Sequence, residues 1–337
     1  MMRPINEKEF SYWIALAHDL PMWSFSNKAW WKNEDKMNII IKFFNDWLNI
    51  IDFFWLSNEE WIRNYWLTEL QVSDLNNTRE NLSNNAFLVE TLQRNWVSIV
   101  PIITSIYSST LKKHLQKSAP ILLYVKGNRE LMQSDSISIV WSRNASDIAL
   151  EFTDNIVKNN KSKVIVSWWA KWVDQKALES ALTYWWNSII VIPQWINTIE
   201  SWIKKYYTEL VQGRILILST FHPNTPRQKE LAMARNSTIY ALSQKIYVAE
   251  SKSSTNKSWK ITKWWTYSWV IDWLKKIEKW ILSKNSILIR KPWSDEMNDN
   301  NELIRLWWIP VDMQWNIVEI SEKDDIGISI PKQRTLF

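Results

Sequence analysis

Three short stretches of the chain carry side chains whose types and spacing suit phosphate binding. In Trp141-Ser142-Arg143-Asn144-Ala145-Ser146 a guanidinium follows an apolar run and precedes a serine placed to cap a helix. The fork donors of Arg143 and the unpaired N–H groups of a helix start at Ser146 would together cradle an anion. Ser167-Trp168-Trp169-Ala170-Lys171-Trp172 follows a second apolar run and adds a point charge at Lys171. In the third stretch, Lys229 and Arg235 do not fall on one helical line. An extended entry to a helix would bring both to a sheet edge, where a nucleic-acid backbone could track across them. Other chemistries lack their residues. There is no cysteine, and the three histidines, His18, His114 and His222, lie far apart in sequence, which predicts neither a zinc site nor a Ser-His-Asp arrangement.

The elements that must position these stretches are legible from periodicity. Ile137–Val140 and Val164–Val166 each run into a compact loop and then a helix-patterned segment. This is the β-loop-α unit of a doubly wound sheet. Strands are expected at 137–141, 163–167, 187–193, 214–219, 245–250 and 286–291. Helices are expected at about 145–158, 173–184, 199–211, 227–242, 267–279 and 300–307. Such alternation requires right-handed crossovers and a mostly parallel, buried sheet, with ligand at the carboxyl ends of its strands. Residues 1–112 read as helical instead. Apolar residues recur at spacings of three and four over Glu7–His18, Asn33–Leu48, Asn58–Tyr65, Val72–Asn77 and Ser83–Thr91, and Ser57 with Glu60 forms a capping box. Ile121–Val125 is a further strand candidate, followed by a turn at Lys126-Gly127-Asn128. The expected organisation is a helical N-terminal domain (1–112), a Rossmann-like domain (113–315) and a short tail (316–337).

Composition adds bounds. The 337 residues suffice for about two domains, and a net charge of +6 suits a polyanionic partner. No apolar run is long enough to span a membrane, the N-terminus lacks the apolar core of a signal peptide, and the missing cysteines fit the cytoplasm. The 27 tryptophans against 3 glycines invert normal usage, since Gly at about 7% would give roughly 24 here. Adjacent pairs stand at Trp30-Trp31, Trp168-Trp169, Trp185-Trp186, Trp264-Trp265 and Trp307-Trp308, where turns call for residues without a Cβ. Trp185 and Trp280 sit where glycine usually ends a helix. A stacking surface for bases would not select turns in this way. The pattern is that of glycine codons printed as Trp, UGA being read as glycine in the source genome, with Trp61 among the authentic exceptions.

With glycine restored in thought, the core reads IVGSRNAS, SGGAKGVDQKALESAL, a GG pair, IPQGIN, ARNSTIYALS, VAES and GGTYSGVID. In that order, over roughly residues 118–312, these motifs resemble the DprA/Smf family of bacterial DNA-processing proteins. The wider superfamily is Rossmann-like and includes lysine-decarboxylase-like nucleotide phosphoribohydrolases. The resemblance implies an α/β fold with an extended Rossmann-like, doubly wound, mostly parallel sheet behind a small all-α domain. It further implies single-stranded DNA binding, self-association as a homodimer, and delivery of RecA recombinase to the bound strand in transformation, with no cofactor, no metal and no membrane.

Residue by residue, Trp141-Ser142-Arg143 matches the family's G-[ST]-R loop, and Ser167 to Trp172 matches S-G-G-A-[RK]-G, whose successive N–H groups would form an anion nest. Asp174 matches an acidic position suited to orienting that loop. Arg235-Asn236 matches the R-N motif, and Lys229 stands where a basic residue is common. Glu250 matches E-[AS] and is suited to accept backbone N–H groups. The chain departs from the family at Ala232, where an aromatic usually stands, and at Ser237, where a basic residue does. Residues 316–337 are too few for the winged helix that many members add. An enzymatic alternative is a nucleotide N-glycosidase. Its acidic loop has a nearest counterpart at Trp264 to Asp272, which lacks the preceding Pro and carries Asp272 in place of Glu. A nucleotide sensor built on the same cradle is the third reading.

Overall fold

The computed structural model describes residues 5–20, 31–141, 145–168, 172–193, 196, 203–225, 235–251, 253–255, 261–263, 286–292, 300–305 and 309–318. Its first part is helical: α1 (Phe10–Ile14, flanked by tighter and wider turns over 7–19), α2 (Asn33–Asn45), α3 (Ile50–Phe54), α4 (Asn58–Tyr65), α5 (Glu69–Glu80) and α6 (Leu82–Arg94). The starts of α3, α4 and α5 follow from capping boxes at Asn49, Ser57 and Thr68, each paired with an acid or amide at the third helical position. At Ser57 the hydroxyl accepts from Glu60 N at 3.2 Å and Glu60 returns a carboxylate to Ser57 N at 2.8 Å. Two boundaries differ from expectation. The Asn33–Leu48 segment ends early, at Asn45, because Trp47 adopts φ 61°, and α3 follows as a helix that the periodicity did not single out. Likewise α5 begins three residues early, at the Thr68 cap.

The sheet begins inside the stretch expected to be helical. β1 (Ser98–Pro101) precedes α7 (Ser109–Leu115), β2 (Leu122–Gly127), β3 (Ser136–Trp141), α8 (Asp147–Asn159), β4 (Val164–Ser167), α9 (Val173–Thr183) and β5 (Ser188–Val191). Then come α10 (Tyr207–Val211), β6 (Ile215–Ser219), α11 (Asn236–Leu242), β7 (Lys245–Glu250), a ribbon of β8 (Ser253–Thr255) and β9 (Ile261–Lys263), β10 (Ser286–Arg290), α12 (Asn300–Arg305) and β11 (Ile309–Val311). The main sheet has the order β1-β2-β6-β5-β4-β3-β7-β10-β11. It is parallel from β6 to β11, and β2 pairs antiparallel with both β1 and β6. The fold class is therefore the expected α/β arrangement with a mostly parallel sheet. The helices expected at 267–279 and across the first half of 227–242 lie outside the described residues.

Two apolar layers hold the sheet, and residues alternate between them as a strand's period of two requires. Ile137, Ile139, Ile165, Tyr247, Ala249 and Leu288 pack under α8 and α9, while Val164, Val166, Ile246, Val248, Ile287 and Ile289 face the opposite layer. That opposite layer is continuous with the aromatic interior of the helical region, where Trp13, Phe43, Phe53, Phe54 and Trp61 are fully buried. Burial on both faces explains why the central strands read as unbroken Ile/Val runs. The exceptions on β3 are satisfied locally. Ser136 Oγ donates to Leu242 O at 2.6 Å and Ser138 Oγ to Ile239 O at 2.8 Å, which satisfies carbonyls in the last turn of α11. Gly127 ends β2 at φ 107°, where a Cβ would stand 2.3 Å from Ile215 O.

Candidate nucleic-acid interface

The strand order fixes where a ligand can sit. From β3 the chain moves outward through β4, β5 and β6, then returns to the other side of β3 for β7, β10 and β11. The order thus reverses between β3 and β7, and in open α/β sheets the crevice lies at the carboxyl ends beside such a switch point. Trp141 ends β3 there, with a register shift against β7 between Val140 and Trp141. Ser142, Arg143, Trp169, Lys171 and Lys229 lie outside the described residues, so the geometry that follows is that of their supports.

Two carboxylates fasten the loops on either side of the switch point. Ser146 is the N-cap of α8, its hydroxyl accepting from Ala149 N at 3.3 Å. Its own N–H donates to Glu250 Oε2 at 2.8 Å, which ties the end of β7 to the start of α8. Next to it, Ser167 Oγ donates to Asp174 Oδ1, and Trp168 N–H donates to the same oxygen at 3.3 Å. Asp174 therefore folds back from the first turn of α9 onto the end of β4. Both carboxylates are buried; Glu250 accepts from backbone at the start of α8, where the N–H ends favour negative charge, and Asp174 accepts from backbone at the end of β4. Trp172 stands immediately before α9 at φ 80° and ψ −116° with no side-chain cap, its indole 46% exposed.

Arg235 does not lie where the sequence suggests. It is 1% exposed, its guanidinium donates to Val191 O at 3.3 Å, and the Trp168 ring centroid lies 4.0 Å from its Cζ. Burial lowers its pKa to about 9, against the raising effect of Asp174 and Tyr240, so it stays cationic at neutral pH. In this arrangement Arg235 is a strut beneath the β4 and β5 ends, and a DNA backbone at the surface would not reach it. The charge of Asp174 and the carbonyl of Val191 hold it inward. Asn236 opens α11 half-buried.

The structure adds partners that the sequence did not single out. Asn300, at the start of α12, accepts from Ser251 N at 2.8 Å and donates to Ala249 O at 3.3 Å and Arg290 O at 2.9 Å, while Arg290 Nε donates to Ala249 O at 2.9 Å. Both side chains are fully buried and pin the end of β7 next to Glu250. The available signal was an arginine and an asparagine at the borders of apolar runs.

The histidines also differ from expectation, for the fold brings two of them together. His18 and His222 meet edge to face at 5.3 Å, and His18 stacks on Tyr124 at 5.8 Å. Buried Lys36 donates to Ala17 O and Leu20 O nearby. Burial pushes His18 down to about 3 and lowers His222 as well. A cavity of about 460 Å³ adjoins them, lined by Asp19, Asp74, Asn77, Asn85, His222 and Asn224 among others. Among the described residues no three His, Cys, Asp or Glu side chains are grouped to hold a metal, and no helix is long and apolar enough to cross a membrane.

Residues 98–258 match the family model described as DNA recombination-mediator protein A. Over 135 residues the chain is 30% identical to the DNA processing protein DprA of Streptococcus pneumoniae, covering 40% of this chain and 48% of that protein. The match thus spans about half the length of this curated relative. The crystal structure of DNA processing protein A from the same species superposes with a TM-score of 0.63 at 18% identity, over 92% of this chain and 95% of that one. A structure of DNA processing protein A from Helicobacter pylori, described for its single-stranded DNA binding mode, aligns at 21% identity over 64% of this chain and 90% of that one, with a TM-score of 0.48.

Proposed function

From the premise that this chain belongs to the DprA/Smf family of DNA-processing proteins, we propose that it binds single-stranded DNA across the carboxyl edge of its parallel sheet. In this reading it hands the strand to a RecA recombinase, makes and breaks no bond, and works in the cytoplasm as a homodimer without a cofactor. One observation supports the reading most. The reversal of strand order between β3 and β7 falls within the family-matched stretch, and the segment that follows β3 in the sequence carries Arg143, one of the candidate phosphate contacts.

The division of labour follows from burial. Glu250 and Asp174 point inward and hold backbone, so their charges shape the loops. Arg143, Lys171 and Lys229 then carry the phosphate contacts, Asn236 borders them, and Arg235 braces from below. Contacts of this kind are read as salt dependence, since each neutralised phosphate releases counterions. Fluorescence anisotropy with labelled oligonucleotides should show affinity falling steeply as salt rises. Arg143→Ala should weaken binding to all sequences alike, because phosphate contacts carry no base information. Absence of binding at low salt would overturn the proposal, and release of free base from a nucleoside monophosphate would overturn its non-enzymatic part.

A further inference from the structure

Among the described residues eight non-glycine positions have positive φ, and six of them are tryptophan: Trp47, Trp66, Trp96, Trp172, Trp185 and Trp315. Tryptophan makes up 27 of 337 residues, so it holds far more than its share. It is also a poor choice there, because left-handed backbone crowds any Cβ, and the tolerated exceptions are Asn and Asp.

The hydrogen bonds explain why the backbone turns at these places. After α2, Trp47 N–H donates to Phe44 O at 3.1 Å and Leu48 N–H to Phe43 O at 2.8 Å. After α6, Trp96 N–H donates to Gln93 O at 3.0 Å and Val97 N–H to Leu92 O at 2.9 Å. After α9, Trp185 N–H donates to Leu182 O at 3.2 Å and Trp186 N–H to Ala181 O at 2.7 Å. Each is a complete Schellman motif with tryptophan at the one position that must be left-handed. After α4 the N–H groups of Trp66 and Leu67 both close on Trp61 O. Trp315 takes the left-handed place in a hairpin turn in which its own N–H donates to Asp312 O at 2.9 Å.

The molecule holds its own control. After α10 the same two bonds form, Gly213 N–H to Leu210 O at 3.1 Å and Arg214 N–H to Glu209 O at 2.9 Å, with glycine at φ 73°. One motif thus occurs four times with one set of bonds, once with the residue it calls for and three times with the bulkiest residue available.

At the four helix ends the side chains return nothing that requires them, whereas Trp315 packs partly buried against the layer under α8 and α9. Trp47, Trp66, Trp96 and Trp185 are between 73% and 86% exposed. Lys42 lies over Trp66 at 5.6 Å and Arg214 over Trp185 at 4.7 Å, surface contacts that no left-handed backbone is needed to make. By contrast Trp13 and Trp61 lie within helices and are fully buried, and Trp61 Nε1 donates to Phe53 O at 2.9 Å.

We infer that the protein made in its own cell carries glycine at 47, 66, 96, 172, 185 and 315 and tryptophan at 13 and 61, the six arising from UGA codons decoded there as glycine. The inference rests on backbone geometry and is independent of what the sheet edge binds. Peptide mass spectrometry of the protein isolated from the source organism should find glycine in the peptides covering the six positions and tryptophan at 61. Tryptophan in those peptides, or UGG at those codons, overturns the inference. A recombinant pair gives a second reading. The chain as written and its variant with Trp→Gly at 47, 66, 96 and 185 should differ in thermal midpoint by several degrees in the variant's favour, because strain is lost while only exposed side chains are removed. Trp61→Gly should lower the midpoint sharply. A quadruple variant that is no more stable than the parent overturns the structural argument.

Discussion

The helical region and the carboxyl edge of the sheet are held together by opposite means. In the helical region the order comes from apolar mass. Phe43, Phe53, Phe54 and Trp61 are fully buried, with Phe53 stacked on Phe43 at 5.5 Å and edge-on to Tyr65 at 5.1 Å. Apart from buried groups such as Lys36, charges there pair at the surface, as Arg63 with Glu59 and Arg94 with Glu90, at exposures where ion pairs contribute little. At the sheet edge the buried groups are polar, and each restrains a particular loop: Asp174 the end of β4, Glu250 the start of α8, Asn300 the end of β7. Apolar packing is non-directional and forgiving in detail, whereas a buried polar network fixes position because an unmade bond is costly. The first region supplies stability and the second supplies geometry.

The comparison breaks most visibly at Trp61. Trp61→Ala removes a fully buried indole and its bond to Phe53 O, and should cost about 3–5 kcal/mol in urea unfolding. Affinity of the remaining folded protein for single-stranded DNA should be unchanged. A selective loss of DNA affinity with little loss of stability would invert the assignment of roles.

Asp174→Ala tests the other region. It leaves the Arg235 guanidinium buried without its carboxylate and frees the Trp168 N–H, which by the usual penalty for breaking a buried charge pair should cost about 3 kcal/mol. Here DNA affinity should fall in the folded protein as well, since the loop bearing Lys171 loses its anchor. Asp174→Asn should recover part of the stability and less of the affinity. Equal recovery of both would mean that the carboxylate packs the loop without orienting it.

How much of this was legible in the sequence differs between the regions in the same way. The central strands read correctly because burial on both faces writes runs dominated by Ile and Val, as at 164–166 and, interrupted only by Ser138, at 137–140. Edge strand β1 did not, because Ser98-Ile99-Val100-Pro101 is too short to separate from helical neighbours. The end of α2 was placed three residues late, at Leu48 in place of Asn45, because the turn residue that would announce it is printed as Trp47. At the site, local devices were readable: the Ser146 cap, and loops after strands. The tertiary ones were not. Nothing local says that Arg235 turns inward to Val191 O, 44 residues away, or that Asn300 reaches back 49 residues to Ser251. Two of the histidines misled for the same reason, since sequence distance between His18 and His222 concealed a 5.3 Å contact.

That contact predicts a pH response where the two regions meet. Burial holds His18 at about 3 and lowers His222, with Lys36 adding to the effect on His18. A histidine whose folded pKa lies below its unfolded value contributes stability that is intact above the unfolded pKa and lost as pH falls toward the folded one. Stability should therefore decline from about pH 7 to about pH 5, on the order of 2 kcal/mol from His18 alone at 1.36 kcal/mol per pKa unit. Asp19, whose carboxyl is raised by burial, opposes this trend only in the more acid range. Urea midpoints measured across that interval check it. His18→Gln should flatten the slope, and an unchanged slope would show that the histidines titrate normally.

The smallest effect sharpens the comparison most, because it separates two bonds at one residue. Ser146 holds the start of α8 twice: its hydroxyl accepts from Ala149 N at 3.3 Å, and its backbone N–H donates to Glu250 at 2.8 Å. Ser146→Ala removes only the first, and loss of an N-cap hydroxyl typically costs about 1 kcal/mol. Because the backbone bond survives, the loop bearing Arg143 should stay anchored and DNA affinity should fall by less than in Glu250→Gln, although the stability losses of the two variants are similar. Glu250→Gln keeps an acceptor but removes a negative charge from a helix start, worth about 0.3–1 kcal/mol. Anisotropy titrations beside urea unfolding of both variants make the comparison. If affinity instead follows stability equally in the two, the sheet edge is held by bulk packing just as the helical region is, and the proposed division between stability and geometry fails.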